Sequence, residues 1–175
     1  MRQGKAIYVG LSNYPAPIFA QACRLARELN LAPIIVAQER YSIFRREIEQ
    51  ELLGSTRELG VGLVAYSVLA QGILSTKYLD GVPEGSRAMR RWTPEQREAI
   101  TPVVQSKIRK LNDVANARGQ TLPQMAIAWA LRSPEVTTAL IGTSDLDQLE
   151  ENVKALEKLA FADDELRAVD AILAS

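Results

Sequence analysis

Histidine is missing altogether from this 175-residue chain, and cysteine occurs once. Without an imidazole there is no common general base at neutral pH, no Ser-His-Asp arrangement and none of the usual zinc sites. A lone Cys23 cannot form an internal disulfide and suits a reducing compartment, so the expectation is a cytoplasmic protein. An excess of either charge is also lacking, since Lys plus Arg and Asp plus Glu number 21 each. No overall field therefore recruits nucleic acid or an anionic membrane surface. No apolar run approaches the length of a membrane span, and the opening "MRQGKAIYVG" has no signal-peptide core.

What the chain does have is a 47% hydrophobic composition, enough for one domain with a sizeable core. Short apolar runs that end in polar residues read as strands: "KAIYVGLSN", "APIIVAQ" (32–38), "VGLVAYS" (61–67) and Val136–Ile141. Helical patterns lie between them. One runs from about Ala16 to Leu29, with Ile18, Ala22, Leu25, Ala26 and Leu29 at helical spacing. Another covers 47–60, with Gly60 placed as its stop. Residues 71–91 carry Gly72, Gly81, Pro83 and Gly85 and read as a long excursion loop. Thr93-Pro94-Glu95-Gln96 supplies a cap, a first-turn proline and a capping-box glutamine for a helix reaching about Arg118, closed by Gly119. Thr121-Leu122-Pro123-Gln124 repeats that box, and Asp163 is expected to cap the last helix.

Strands alternating with helices of this length predict an α/β fold built from parallel βα units. In parallel sheets ligands bind at the C-terminal ends of the strands. Those ends read Leu11-Ser12-Asn13, Ala37-Gln38, Tyr66-Ser67 and Gly142-Thr143-Ser144, each turning from apolar to hydrogen-bonding residues. A small polar ligand is expected there. The last end admits two readings. A strand, a glycine and the helix start at Asp145 gather unpaired N–H groups that suit an anion. Equally, Ser144 with Asp147 resembles a capping box that needs no ligand.

The same segments, in the same order, resemble the C-terminal half of an aldo-keto reductase, in the branch of glyceraldehyde-phosphate reductases and potassium channel β-subunits. "GKAIYVGLSNYP", "VAQERYSIF", "VAYSVLAQGILSTKY" and "ALIGTSDLDQLEENV" are similar to that family's fifth to eighth barrel strands. The resemblance implies about half of a TIM (β/α)8 barrel, spanning residues 1–175 as one partial domain. It also implies an NADP(H) cofactor laid across the strand ends. Ser12, Asn13 and Gln38 match positions that bind the nicotinamide carboxamide, a role suited to groups that both donate and accept. Tyr66 matches the aromatic that stacks on the nicotinamide; a buried core tyrosine is the alternative. Ser67, Val68, Leu69, Ala70, Gln71 and Gly72 match the loop around the pyrophosphate. Lys77 and Arg87 match basic positions near the phosphates. Gly142, Thr143, Ser144, Gln148, Glu151 and Asn152 match the adenosine end.

Two positions depart from the family's usual Ser-Pro-Leu-Ala-Gly-Gly: Val68 replaces the proline and Gln71 the first glycine. The larger departure is chemical. The family reduces aldehydes and ketones to alcohols with an Asp/Tyr/Lys/His tetrad drawn from the first half of its barrel, and no residue here matches a tetrad position. The expectation is a cofactor-binding half without catalytic residues of its own; the alternatives are a non-catalytic NADP(H)-sensing module or an inert truncation product. Four βα units leave edge strands open, so such a chain is expected to pair with itself or with a separate N-terminal half-barrel, to aggregate, or to settle as an open sheet.

Overall fold

A computed structural model describes residues 1, 3–79, 81–85, 87–98, 100–143 and 145–175, with side chains at all of these except 87, 91, 95 and 96. The chain forms two compact units, Met1–Val68 with Ala130–Gly142, and Leu69–Trp129 with Thr143–Ser175.

The first unit is a four-stranded parallel sheet. Its strands are β1 (Val9–Ser12), β2 (Ile34–Arg40), β3 (Gly62–Tyr66) and β4 (Val136–Leu140), side by side in that order. Helices α1 (Ala16–Glu28) and α2 (Leu52–Leu59) connect the first three. Parallel strands alternating with helices are the architecture of part of a TIM barrel, as the sequence pattern predicts. Register places Ser12 beside Gln38, and Arg40 beside Tyr66, so these residues share a sheet edge. Ala37, Leu63 and Ala65 are fully buried, as are Phe19 on α1 and Thr56 on α2. Gly10 is required where β1 meets β2, because a Cβ there would stand 2.4 Å from Cγ1 of Val36. Gly60 ends α2 in the left-handed conformation (φ +64°), and Val61 N–H reaches back to the Thr56 carbonyl at 2.9 Å, as in a Schellman cap.

Two expectations need correction in this unit. The buried stripe of α1 is Phe19, Cys23 and Ala26, whereas Ile18, Leu25 and Leu29 are exposed. The helix carries two adjacent apolar stripes, and local periodicity does not say which one meets the sheet. The helix expected over 47–60 is a 3₁₀ turn at Glu47–Glu49 followed by α2 from Leu52. Glu49 serves tertiary partners here: its carboxylate accepts from Tyr41 Oη at 2.6 Å, Arg132 Nη2 at 2.7 Å and Arg46 Nε at 2.9 Å.

The second unit is helical: α3 (Arg87–Arg91), α4 (Pro94–Glu98), α5 (Pro102–Ala117), α6 (Leu122–Ala130, whose last residue belongs to the first unit), α7 (Leu146–Val153) and α8 (Asp163–Ala174). The single helix expected from Thr93 to Arg118 is divided. Pro102 has no N–H and crowds Thr101 out of helical geometry, so the chain restarts there. Thr101 is the new cap, its hydroxyl accepting from Val104 N at 3.3 Å. The box residue Gln96 has its side chain outside the description. The excursion 71–91 is not all loop, since it holds 3₁₀ turns and α3. The Thr121/Gln124 box forms as read: Gln124 Oε1 accepts from Thr121 N at 3.0 Å, and Thr121 Oγ1 from Gln124 N at 3.4 Å. At α8 the cap is not Asp163, which is already helical; Glu165 folds back to accept from Ala162 N at 2.8 Å. Arg118 ties this unit together. It is buried against the Phe161 ring (3.6 Å), pairs with Glu165 and donates to the Ala160 carbonyl at 3.1 Å.

Among the described residues no helix is long and apolar enough to cross a membrane, and no group of three acidic, Cys or His side chains is arranged to hold a metal.

Candidate nicotinamide and phosphate contacts

The first unit brings four of the expected residues together at the ends of β1 to β3. Tyr66 donates its hydroxyl to Asn13 Oδ1 at 2.9 Å, and Asn13 Nδ2 donates to Ser12 Oγ at 3.0 Å. Gln38 is exposed beside Ser12, and its side-chain amide has no partner among the described residues. Asn13 spends one donor and one acceptor and keeps one of each. The set therefore presents free amide N–H and C=O groups beside a half-buried aromatic ring, the complement of a flat carboxamide. Tyr66 is not the buried core tyrosine that was the alternative reading.

What fixes this corner was not singled out in the sequence. Asn13 sits at φ +60°, a left-handed conformation that asparagine tolerates better than most residues. Its backbone N–H donates to Glu39 Oε1 at 2.8 Å and to the Gln38 carbonyl at 3.2 Å. Glu39 is 6% exposed. Desolvation raises its pKa, and the backbone N–H groups of Asn13 and Tyr14 offset this only in part. The signal was present in "VAQERYSIF": a carboxylate at the register position of Ala37 lies on the buried side of the strand.

Arg40, next along β2, lies over the Tyr66 ring with its Cζ 5.8 Å from the centroid. Behind this edge Arg132 donates to Tyr41 Oη at 2.6 Å, and its Cζ lies 5.9 Å from that ring. Burial first, then the bond to Glu49, push the Tyr41 phenol well above its ordinary range. Burial raises the Glu49 carboxyl too, but the bonds from Arg46, Tyr41 and Arg132 outweigh it and leave its pKa lowered.

Ser67 follows β3 at φ +55°, and Val68 after it is buried. In the second unit the loop continues with Ala70 (φ +48°), Gln71 (φ +60°) and Gly72 (φ +100°). Gln71 thus adopts a conformation that glycine takes without strain. The N–H groups of Gly72 and Leu74 already donate to the Leu69 carbonyl, at 2.8 and 3.2 Å, which leaves anion contact to the residues before Gly72. Lys77 is exposed and lines a cavity of about 320 Å³ with Thr76, Gly81, Val82 and Pro83. The backbone of Arg87 starts α3; its side chain lies outside the description.

At the adenosine-end positions, Gly142 closes the first unit and the rest belong to the second. Ser144 lies outside the described residues. The cap of α7 is Asp145, not Ser144: Asp145 Oδ1 accepts from Asp147 N at 3.0 Å. Thr143 Oγ1 accepts from Asp145 N at 3.1 Å, and Gln148 Nε2 donates to Asp145 Oδ2 at 3.1 Å. A carboxylate therefore sits where the anion reading wanted open N–H groups. Asn152 is buried, and the Glu151 carbonyl accepts from Gln124 Nε2 at 3.0 Å.

The sequence profile described as "Aldo/keto reductase family" matches residues 1–174. The "L-glyceraldehyde 3-phosphate reductase" of Escherichia coli strain K12 is 38% identical over 177 aligned positions, covering 97% of this chain and 50% of that protein. The protein of the same name from Escherichia coli O157:H7 matches to the same extent, so the chain spans about half the length of these relatives. With the profile matching nearly the whole chain and a parallel sheet alternating with helices as in part of a TIM barrel, the chain belongs to the aldo/keto reductase family.

Proposed function

We propose that this chain is the cofactor-binding part of an NADP(H)-dependent reductase that turns aldehydes or ketones into alcohols. The observation that carries the reading is the Ser12–Asn13–Tyr66 chain of hydrogen bonds with the free Gln38 amide beside it. When bound, the cofactor supplies a hydride to the carbonyl carbon. Ser12, Asn13 and Gln38 hold its carboxamide, and Tyr66 fixes the ring face presented. The loop from Ser67 to Gly72, with Lys77 and Arg87, meets the phosphates, and the two cations favour NADPH over NADH. Gly142 to Ser144, with Gln148, Glu151 and Asn152, serve the adenosine.

The proton acquired by the carbonyl oxygen comes from a tetrad that has no counterpart in these 175 residues. The chain therefore works with a segment that supplies it, covalently continuous or separate. Among the described residues β1 and β4 are the edges of the sheet, and Ile18, Leu25 and Leu29 on α1 are exposed, both of which support association. The missing tetrad also favours a second reading, a module that binds NADP(H) and signals its presence without catalysis.

A thermal melt with and without NADPH tests the proposal. A ligand at a hundredfold excess over its dissociation constant stabilises the folded state by about 2.7 kcal/mol. An upward shift with NADPH but not with AMP is expected. A cooperative transition that NADPH leaves in place overturns cofactor binding by the chain alone.

A further inference from the structure

Arg40 is the one strand-end residue of β2 that the nicotinamide reading leaves without work. It shares a sheet face with Gln38, two residues earlier, and is in register with Tyr66 on β3. Its Nε is shielded from solvent and has no hydrogen-bond partner among the described residues. Among the described residues it forms no ion pair, while its Cζ is 5.8 Å from the centre of the Tyr66 ring. A shielded donor without an acceptor forfeits its hydration and receives nothing in return, so native proteins keep very few. The ring contact offers the cation a face to rest on but no acceptor for the N–H. A guanidinium is a planar fork whose geometry matches a carboxylate or a phosphate ester through paired N–H donors.

We propose that Arg40 is a specificity-determining residue that selects carbonyl substrates bearing an anionic group, a carboxylate or a phosphate ester, by supplying the donor fork that the protein itself leaves unpaired. The inference rests on the nicotinamide assignment of Ser12, Asn13, Gln38 and Tyr66, because that assignment brings the reacting carbonyl beside Tyr66. Arg40 then reaches the substrate from the β2 side. Glu39, its neighbour, forms no ion pair with it among the described residues, because strand alternation sends that carboxylate to the opposite face, where it accepts from Asn13 N at 2.8 Å.

The test compares two probes of equal chain length, succinate semialdehyde and butanal, in titrations of the 175-residue chain followed by amide NMR shifts. Wild type is expected to bind the semialdehyde about tenfold more tightly than butanal. In R40Q the ratio should fall to within about twofold, with butanal affinity unchanged. R40K keeps the charge and stem but not the fork, and should lie between the two. It carries the comparison if R40Q melts early. Equal affinities in wild type, or a ratio unmoved in both variants, overturn the proposal. A parallel NADPH titration separates the sources of the anion: a loss of NADPH affinity in R40Q with the semialdehyde preference intact gives Arg40 to the cofactor and also overturns it. Failure of the wild type to bind NADPH sinks the cofactor reading by itself, whereas the semialdehyde ratio judges Arg40.

Discussion

The Tyr66 hydroxyl donates to the side-chain oxygen of Asn13, 2.9 Å away and 53 positions earlier in the chain. This bond links the end of β3 to the turn after β1 across the intervening strand β2. It orients an aromatic ring and an amide with one contact. Because the pair is solvent-accessible, Y66F should cost only about 0.5–1 kcal/mol, read from the urea midpoint. N13A should cost more, about 1–2 kcal/mol, since alanine resists the left-handed backbone there. N13G should recover most of that backbone term. If NADPH binds as proposed, both Y66F and N13A weaken it and shrink the upward melting shift that it causes.

Glu39 should make stability depend on pH in an unusual direction for a carboxylate. Its folded pKa is raised above the ordinary 4.5, chiefly by burial. Its contribution is thus fully present below about pH 4.5 and is lost as pH rises through the folded value. E39Q keeps an acceptor for Asn13 N–H without the buried charge, so it should flatten this loss in thermal melts from pH 4 to 8. E39A removes the acceptor and should destabilise by about 1–3 kcal/mol at pH 4 and by less at pH 8. A wild-type profile already flat relative to E39Q would refute the argument.

Glu49 should pull the other way. Arg132, Arg46 and Tyr41 hold its pKa below 4.5, so its contribution is present above that value and fades as pH falls through the folded one. Arg132 bridges Tyr41 and Glu49 with its side chain only 18% exposed, and R132M should cost about 1–2 kcal/mol by taking one hydrogen bond from each, while Tyr41 and Glu49 keep their bond to one another and Glu49 keeps Arg46. Tyr41, its pKa raised, adds stability below about pH 10 that is lost as pH rises further. Y41F should remove that alkaline sensitivity. Chemical denaturation of R132M and Y41F across pH 4 to 11 checks each sign.

Gln71 stands at φ +60°. A left-handed residue with a Cβ is strained by about 1–2 kcal/mol, while glycine's extra freedom when unfolded costs about 0.5–1 kcal/mol. Q71G should therefore be stabilising by up to about 1 kcal/mol, and Q71V clearly destabilising. Equal melting temperatures for Q71G and Q71V would remove strain as the explanation.

Much of this protein is written locally. Strand ends, the Thr121/Gln124 box and the stops at Gly60 and Gly119 depend on residues within a few positions of one another, so spacing and turn chemistry suffice to place them. The break before Pro102 was equally local, since a Thr-Pro pair resembling the one at 93–94 recurs at 101–102. Ser12, Asn13, Gln38 and Tyr66 could be picked out because each stands at or near the C-terminal end of a strand, where an apolar run turns polar. Tertiary structure alone decided the rest. α1 offers two apolar stripes of similar character, and only the sheet it packs on chooses Phe19, Cys23 and Ala26. Arg132 finds Tyr41 from 91 positions away, a pairing that no local pattern encodes. Arg40 and Glu39 are neighbours in sequence, yet one lies over an aromatic ring and the other holds a backbone N–H. Strand alternation sends them to opposite faces, and only the neighbours waiting on each face determine what each charge does.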